Sequence, residues 1–511
     1  MSVDCGILCS KIILEHFGGV VKTVAHDLFK VSSKTLSNIV ATTKLQRSQV
    51  IECLRILVRY GLVTYKVSLQ NPKIPEYSLS YEKVLLFPRY VRYMLLVKTL
   101  YGDEAELLIE ELLRSGSEKA SSIIVRATTR LKEIKKEEKN VSLNIVRDKL
   151  ILLMNKQFVM RCPEPLPGCK EIPQLIIKQE DLFMSPSLSL KELTQMEEGH
   201  PEVPANDVTL RVNFDRFHQE FRDNIMISAI KRRIDDNAGE LMRVILQQMY
   251  IRTEAWEPIS NPIPVVEIRN AVHKVKTNPR LAQHLDQYLK VLDEDSSNFI
   301  TKVADSGGGQ YVVNIREAFI QLSWAAVENI VEERFGSKAA RVFRLIKSKH
   351  FIEQEQIQQY ALIPAKEAKL ITYRLLEECF IQIQELRKSM SSAGPNKTFF
   401  LFHIDIDQVV KKCLEICYKA LTNSMVRRQH ERDEHKRLIE KQQRIESLTA
   451  NLREQGAPAD QIDELEELLT PLENEALERV RIMIARLGEA ELRVDDNMFL
   501  LQLYLMYSNC K

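Results

Sequence analysis

The sequence predicts a mainly α-helical protein with small β-hairpins: four tandem extended winged-helix domains, a C-terminal antiparallel coiled-coil hairpin and a terminal helix. Three observations predict this fold class. They are a helix followed at once by a β-hairpin, the repetition of that unit, and a change to long helical stripes near the C-terminus. A chain of 511 residues is also too long for one hydrophobic core, so we expect roughly three to five domains.

The helix-hairpin unit is clearest in residues 46–81. Apolar residues recur there at helical spacing, and Gly61 can end the helix because glycine adopts a positive φ without strain. The following residues 62–67 are rich in β-branched and aromatic types and predict a strand, and a turn at Asn71-Pro72 lets the chain return in a second strand. A helix followed by such a hairpin is the second half of a winged helix-turn-helix.

The same unit returns three times downstream. In each copy a helical pattern is followed by predicted strands. These strands are residues 158–161 in the second copy, 299–303 and 310–314 in the third, and 380–383 and 398–403 in the fourth. Because the copies stand about a domain's length apart, the repetition predicts tandem domains. We place winged helices at residues 1–83, 84–162, 207–314 and 315–405, a proline-rich linker or insertion loop at 163–206, a coiled-coil helical hairpin at 406–490 and a C-terminal helix at 491–511.

The C-terminal fifth of the chain changes character. Apolar residues in steps of three and four run through it, are interrupted at Gly456-Ala457-Pro458, and predict an antiparallel helical hairpin. The outgoing arm is basic, whereas residues 460–478 hold eight acidic residues, so opposite charges are expected to fix the register of the arms. Residues 494–507 are too apolar to stand alone, and we expect them to pack against this hairpin or a winged helix.

Composition indicates a soluble globular protein of the cytosol or nucleus. The chain is 45% apolar and 28% charged. No apolar run reaches the ~18 residues that a membrane span needs, and charged residues near the N-terminus argue against a secretory signal.

Cys5/Cys9 and Cys413/Cys417 stand at i, i+4, but no second pair stands at zinc-finger spacing, so buried reduced thiols are favoured over a metal site.

The sequence offers no motif for catalysis or cofactor binding. It lacks a phosphate-binding P-loop, an H-E-x-x-H metal motif and a G-x-S-x-G nucleophile motif. The Gly-Gly-Gly run lies in a predicted hairpin turn, and His218 is interpreted as a helix-surface or capping residue. The cluster of His430, Asp433, Glu434 and His435 is interpreted as a solvated helix face. We therefore predict no catalytic residue, cofactor, metal or small-molecule substrate.

Basic residues are concentrated in the first two predicted domains. Residues 1–160 hold 25 Lys and Arg against 16 Asp and Glu. The predicted third helices lack a dense Asn, Gln and Arg face for reading base edges, so we expect sequence-independent contact with the DNA backbone or docking of protein, the latter being favoured. The candidate contact residues are Arg47, Arg55, Arg59, Lys66, Arg147, Lys149 and Lys156.

Five long segments resemble the third-largest subunit of eukaryotic RNA polymerase III, and the resemblance covers essentially the whole chain. The segments are TLYGDEAELLIEELLRSG (99–116), NFDRFHQEFRDNIMISAI (213–230), DSGGGQYVVNI (305–315), ERFGSKAARVFRLI (333–346) and IPAKEAKLITYRLLEE (363–378). Members of this family are built from four extended winged helices and a coiled-coil hairpin. They are similar in domain type to the large subunit of general transcription factor IIE.

The resemblance implies a non-catalytic nuclear subunit. It would form a heterotrimer with two other polymerase-III-specific subunits, dock on the clamp of the largest subunit, and help the polymerase engage a promoter bound by TFIIIB and open the DNA. Relatives often carry a basic run in the linker, but here residues 185–207 contain Lys191 as their only Lys or Arg. The resemblance therefore gives no support for a DNA contact through this segment.

Two other classes of protein are alternatives. Scaffold subunits of proteasome-lid, signalosome or initiation-factor complexes usually carry one winged helix after a long helical array, and the four hairpin signals here argue against that arrangement. A sequence-specific repressor would need a helix equipped to read bases and is usually a smaller chain.

Overall fold

Small antiparallel sheets flanked by helices recur along the chain in the computed structural model. The chain divides into two units, residues 1–220 with 422–492 and residues 221–421 with 493–511. The structure describes residues 2–31, 33–67, 73–134, 143–165, 172–173, 175–198, 207–274, 279–305, 308–387, 398–454 and 468–509. The predicted turns at Asn71-Pro72 and Gly456-Ala457-Pro458 lie outside these ranges.

The first winged helix has the predicted third helix and wing. Its elements are α1 (Val3–Phe17), α2 (Gly19–Lys30), β1 (Lys34–Thr35), α3 (Leu36–Thr43), α4 (Arg47–Arg59), β2 (Val63–Val67) and β3 (Pro75–Leu79). The sheet has the order β1-β3-β2, and all its pairs are antiparallel. Helix α4 buries Val50, Leu54 and Leu57, and Gly61 follows it with φ 69°, as the helical spacing and the glycine predicted.

The second winged helix begins with a short helix and a 3-10 turn (Phe87–Arg89). Its elements are α5 (Tyr81–Val84), α6 (Tyr90–Tyr101), α7 (Asp103–Ser115), β4 (Glu118–Lys119), α8 (Ala120–Ile134), α9 (Leu143–Asn155) and β5 (Val159–Arg161). Three further elements follow: β6 (Glu164–Pro165), β7 (Leu175–Ile176) and α10 (Leu190–Glu197).

The strand that completes this sheet comes from residues that the sequence predicts, wrongly, to belong to the third domain. Strand β8 (Thr209–Val212) lies between β4 and β5 and pairs with both, whereas the sequence pattern predicts residues 207–212 at the start of the third domain. Leu210 and Val212 are buried in this sheet. The segment 163–206 is therefore an insertion between two wing strands of the second domain and not a linker between domains.

The third and fourth winged helices follow in the second unit. The third contains α11 (Phe214–Arg233), whose first residues belong to the first unit, and α12 (Asp236–Met249), β9 (Ile263–Pro264), α13 (Val265–Lys274), α14 (Pro279–Gln283), α15 (Leu285–Glu294), β10 (Ile300–Ala304) and β11 (Gln310–Val313). The fourth contains α16 (Ile315–Phe335), α17 (Ser337–Lys349), α18 (Gln354–Ala361), α19 (Ala365–Glu377), β12 (Gln382–Arg387) and β13 (Thr398–His403). Both hairpins lie where the sequence predicted them.

Long helices form the rest of the chain: α20 (Ile406–Glu434), α21 (Lys436–Glu454) and α22 (Pro471–Asn509). Two ion pairs join the arms within the first unit, from Lys441 Nζ to Glu473 Oε2 at 2.8 Å and from Arg428 Nε to Glu491 Oε1 at 3.0 Å. Lys441 follows Arg428 in the chain, whereas its partner Glu473 precedes Glu491, so these arms are antiparallel. The prediction that opposite charges join the arms is confirmed.

The predicted separate terminal helix is wrong, because α22 is continuous from Pro471 to Asn509. Its last part packs within the second unit, as predicted. Phe499, Leu503 and Tyr507 belong to the core of the third winged helix. Met498, Leu501 and Tyr504 belong to the core of the fourth winged helix together with residues of α20. The two sets lie on two stripes of one helix because residues three and four apart share a face.

Among the described residues, every helix falls short of the length and apolar character that crossing a membrane requires.

Candidate interaction surfaces

The candidate residues of the first domain lie on α4 and on its wing. Arg47 at the start of α4 and Lys66 on β2 are exposed, and neither forms an ion pair with any residue in the described ranges. Arg55 pairs with Glu52 at 3.0 Å, but both side chains are mostly exposed. An exposed pair of this kind contributes little to stability. These three cations are therefore accessible to an anionic partner.

Arg59 has a different environment. Its Nη2 lies 2.7 Å from Glu118 Oε2, and its Nε donates a hydrogen bond of 3.1 Å to the carbonyl of Ser117. Both partners belong to the second winged helix, so this arginine joins the first two domains within the first unit. Its guanidinium is held in place by the Glu118 carboxylate, which the sequence could not show.

The candidate residues of the second domain do not form one cluster. Arg147 pairs with the neighbouring Asp148 at 2.9 Å, and Lys149 donates a hydrogen bond of 2.6 Å to the carbonyl of Tyr101. Residues two positions apart on an α-helix point about 200° apart, so Arg147 and Lys149 face different sides of α9. Lys156, just after α9, is exposed and has no ion pair with a described residue.

A groove that the sequence analysis missed lies between the first two domains, inside the first unit. A cavity of about 600 Å³ is lined by α4 and by residues of α7, β4 and α8. A second cavity of about 320 Å³ shares His16, Phe17, Tyr60 and Arg114 with it and extends toward α6. We refer to the two cavities together as the interdomain groove. No sequence signal marks it, because its walls come from segments far apart in the chain.

The paired cysteines are buried, as predicted. Cys5, Cys9, Cys413 and Cys417 are all nearly inaccessible to solvent. Burial raises the pKa of Cys413 to about 12 and that of Cys417 to about 11. A thiol with so high a pKa stays protonated at neutral pH, and the protonated form is a poor metal ligand and a poor nucleophile.

His218 and the cluster around His435 have different environments in the structure. His218 is half-buried and not an exposed or capping residue: its Nε2 lies 2.9 Å from the hydroxyl of the fully buried Tyr93, and burial lowers its pKa to about 3. It is therefore neutral at physiological pH. Ligand atoms of Glu431, Glu434 and His435 lie within 4.8 Å of one another, but Arg427 already pairs with Glu431. That cluster thus contains a cation of its own.

Four family models match the chain in consecutive segments. The helix-turn-helix domain of RNA polymerase III subunit RPC82 matches residues 7–68, and the RNA polymerase III subunit RPC82 model matches residues 148–322. The C-terminal winged-helix domain of POLR3C matches residues 327–404, and the helical hairpin domain of DNA-directed RNA polymerase III subunit RPC3 matches residues 437–500.

Curated relatives are similar over almost the whole chain. The DNA-directed RNA polymerase III subunit RPC3 of Rattus norvegicus is 36% identical over 525 residues, which cover 98% of this chain and 97% of the relative. The subunits of the same name from Homo sapiens and Danio rerio are 36% and 35% identical, each covering 98% of this chain and 97% of the relative.

Proposed function

The chain belongs to the RPC3 family of RNA polymerase III subunits, and on that basis we propose that it supports promoter engagement, DNA opening and initiation on genes for small untranslated RNAs. Other subunits of the polymerase are its partners. We further propose that it acts in the nucleus within a heterotrimer of polymerase-III-specific subunits, contacts the clamp of the largest subunit and a TFIIIB-type factor, and contributes no catalytic residue. The observation that supports this role most directly is the series of four winged helices, a fold that binds DNA or protein through a helix and a wing.

This role predicts a defect that depends on whether the promoter is already open. Polymerase III reconstituted without this chain should transcribe poorly from a closed promoter bound by TFIIIB, and should recover most of its activity on a template with a pre-opened bubble. The measurement is transcript yield from the two templates, with complete enzyme as the control. An equal loss on both templates would assign the chain to elongation or assembly instead.

We also propose that the first winged helix contacts DNA without reading its sequence. The contact residues would be Arg47, Arg55 and Lys66, whose charges are exposed and are not offset by a buried carboxylate. Lys156 is a further candidate on the second domain for the same reason. Arg59, Arg147 and Lys149 are weaker candidates for DNA contact because each has a partner in the folded chain.

The change of Arg47, Arg55 and Lys66 together to Ala is expected to lower the affinity of the chain for duplex DNA. It should also reduce the dependence of log K on log salt by up to about 2.7, since each phosphate contact contributes about 0.9. Fluorescence anisotropy with a labelled duplex over a range of salt concentrations gives both quantities. Arg59→Ala on the same helix is the matched control and should keep the slope. If the triple variant keeps the wild-type slope, these residues do not contact DNA.

A further inference from the structure

The interdomain groove combines an aromatic floor with a cationic rim. Phe17 and Tyr60 meet edge to face with ring centroids 4.8 Å apart, and Phe87 stacks on Tyr90 with centroids 4.7 Å apart. These four rings line the cavities described above. A floor of aromatic rings in a concave site is suited to an apolar anchor from a ligand, because burying such a side chain removes apolar surface from water.

The rim carries three arginines: Arg59, Arg114 and Arg126. Arg59 and Arg126 share one carboxylate, that of Glu118, at 2.7 Å and 3.4 Å. Two guanidinium groups therefore face a single negative charge, and part of their charge remains uncompensated.

Arg114 is the most available of the three. Its Nη1 is 4.0 Å from Glu111 Oε1, and its side chain is 72% exposed to solvent. The same Glu111 oxygen is already held by Arg130 at 2.6 Å and is almost fully buried. Glu111 is thus committed to Arg130, and Arg114 can turn toward a ligand at little cost.

We propose that the interdomain groove is a docking site for an acidic peptide segment of a partner protein. An aromatic or long aliphatic side chain of the segment would lie on the floor formed by Phe17 and Tyr60, and its carboxylates would pair with Arg114 and Arg126. Glu110, Glu111 and Glu118 also line the groove, but the first two pair with Arg130 and the third with Arg59 and Arg126. The positive charge that Arg114 and Arg126 retain favours an acidic segment, and the aromatic floor favours an apolar anchor, which a nucleic-acid backbone does not supply. Cavities of about 600 and 320 Å³ fall in the range that accommodates such anchors. This site does not depend on the DNA contact proposed above.

The test uses the full-length chain and a dye-labelled peptide in which one phenylalanine is flanked on each side by four glutamates. Fluorescence anisotropy at near-physiological salt should show saturable binding. Arg114→Glu is expected to weaken it at least tenfold, since it reverses the charge of an exposed residue. Arg232→Glu, an exposed arginine that does not line the groove, is the matched control and should leave affinity unchanged. Replacing the phenylalanine of the peptide by alanine should also weaken binding at least tenfold.

Four outcomes would overturn the proposal. Absence of binding to the wild-type chain would exclude a docking site for this chemistry. Equal losses with Arg114→Glu and Arg232→Glu would show general charge attraction, and an unchanged affinity of the alanine peptide would show that the floor is not used. Displacement of the peptide by a short DNA duplex from the wild-type chain, but not from the variant with Arg47, Arg55 and Lys66 changed to Ala, would assign the peptide to the DNA surface.

Discussion

Truncation of the chain before Val494 is expected to leave the second unit unable to fold. The removed part of α22 supplies six large side chains that are almost completely buried: Met498, Phe499, Leu501, Leu503, Tyr504 and Tyr507. Burying each contributes about 1.5–3 kcal/mol, or about 9–18 kcal/mol for the set. A typical domain is stable by only about 5–15 kcal/mol, so the truncated unit should unfold or aggregate.

Tryptophan fluorescence reports this unfolding selectively, because the only two tryptophans of the chain, Trp256 and Trp324, both belong to the second unit. Truncation after Asn509 is the control and should behave as wild type. A single change, Leu501→Ala, should lower the free energy of unfolding by about 2–5 kcal/mol. Met506→Ala on the same helix should cost much less, since Met506 is 37% exposed. An unchanged melting temperature in the truncated chain would contradict the packing of α22.

Local sequence patterns predicted the winged helices because each helix-and-wing unit is encoded within a short stretch. The helix-ending Gly61 and the strand residues after it stand next to each other in the sequence, so propensity and pattern agree. Strand β8 was missed for the opposite reason. It is four residues long and pairs with β5 across an insertion rich in proline, so its partner could not be read from neighbouring residues.

The roles of charged residues were the least predictable part. Arg59 and Arg55 lie on one helix and look equivalent in sequence, yet Arg59 is held by Glu118 of the next domain and Arg55 is exposed beside Glu52. Lys149 is engaged by a backbone carbonyl, and no sequence pattern reveals such a partner. Pairing between distant segments determines which cations remain available, and only tertiary structure shows it. The interdomain groove was missed for the same reason.

Arg222→Met is expected to destabilise the second unit by about 3–5 kcal/mol. Arg222 is fully buried, and its Nη2 donates to Asp223 at 2.8 Å and to the Tyr250 hydroxyl at 2.5 Å. Its Nη1 donates to the Tyr507 hydroxyl at 2.9 Å. Methionine fills a similar volume but donates no hydrogen bond, so the buried Asp223 carboxylate would keep only the hydroxyl of Tyr250 as a described partner.

The position of Tyr507 makes this network more than a local ion pair. Tyr507 lies near the end of α22, so Arg222 of α11 links the third winged helix directly to the C-terminal helix. Tyr507→Phe removes one hydrogen bond to a charged group and should cost about 1.5–3 kcal/mol while the ring stays packed. In the double variant both changes remove the same hydrogen bond. Its loss of unfolding free energy should therefore be smaller than the sum of the losses in the two single variants.

Urea unfolding followed by tryptophan fluorescence measures these costs, because Trp256 packs against the Arg222 guanidinium with 5.3 Å between the charged carbon and the ring centroid. Arg232→Met is the matched control, an exposed arginine on the same helix, and should change the free energy of unfolding by less than about 0.5 kcal/mol. If Arg222→Met were as mild as this control, hydrophobic packing alone would hold α22 in place. A large cost with strong coupling to Tyr507→Phe would instead make the buried arginine the group that fixes the register of α22 against α11.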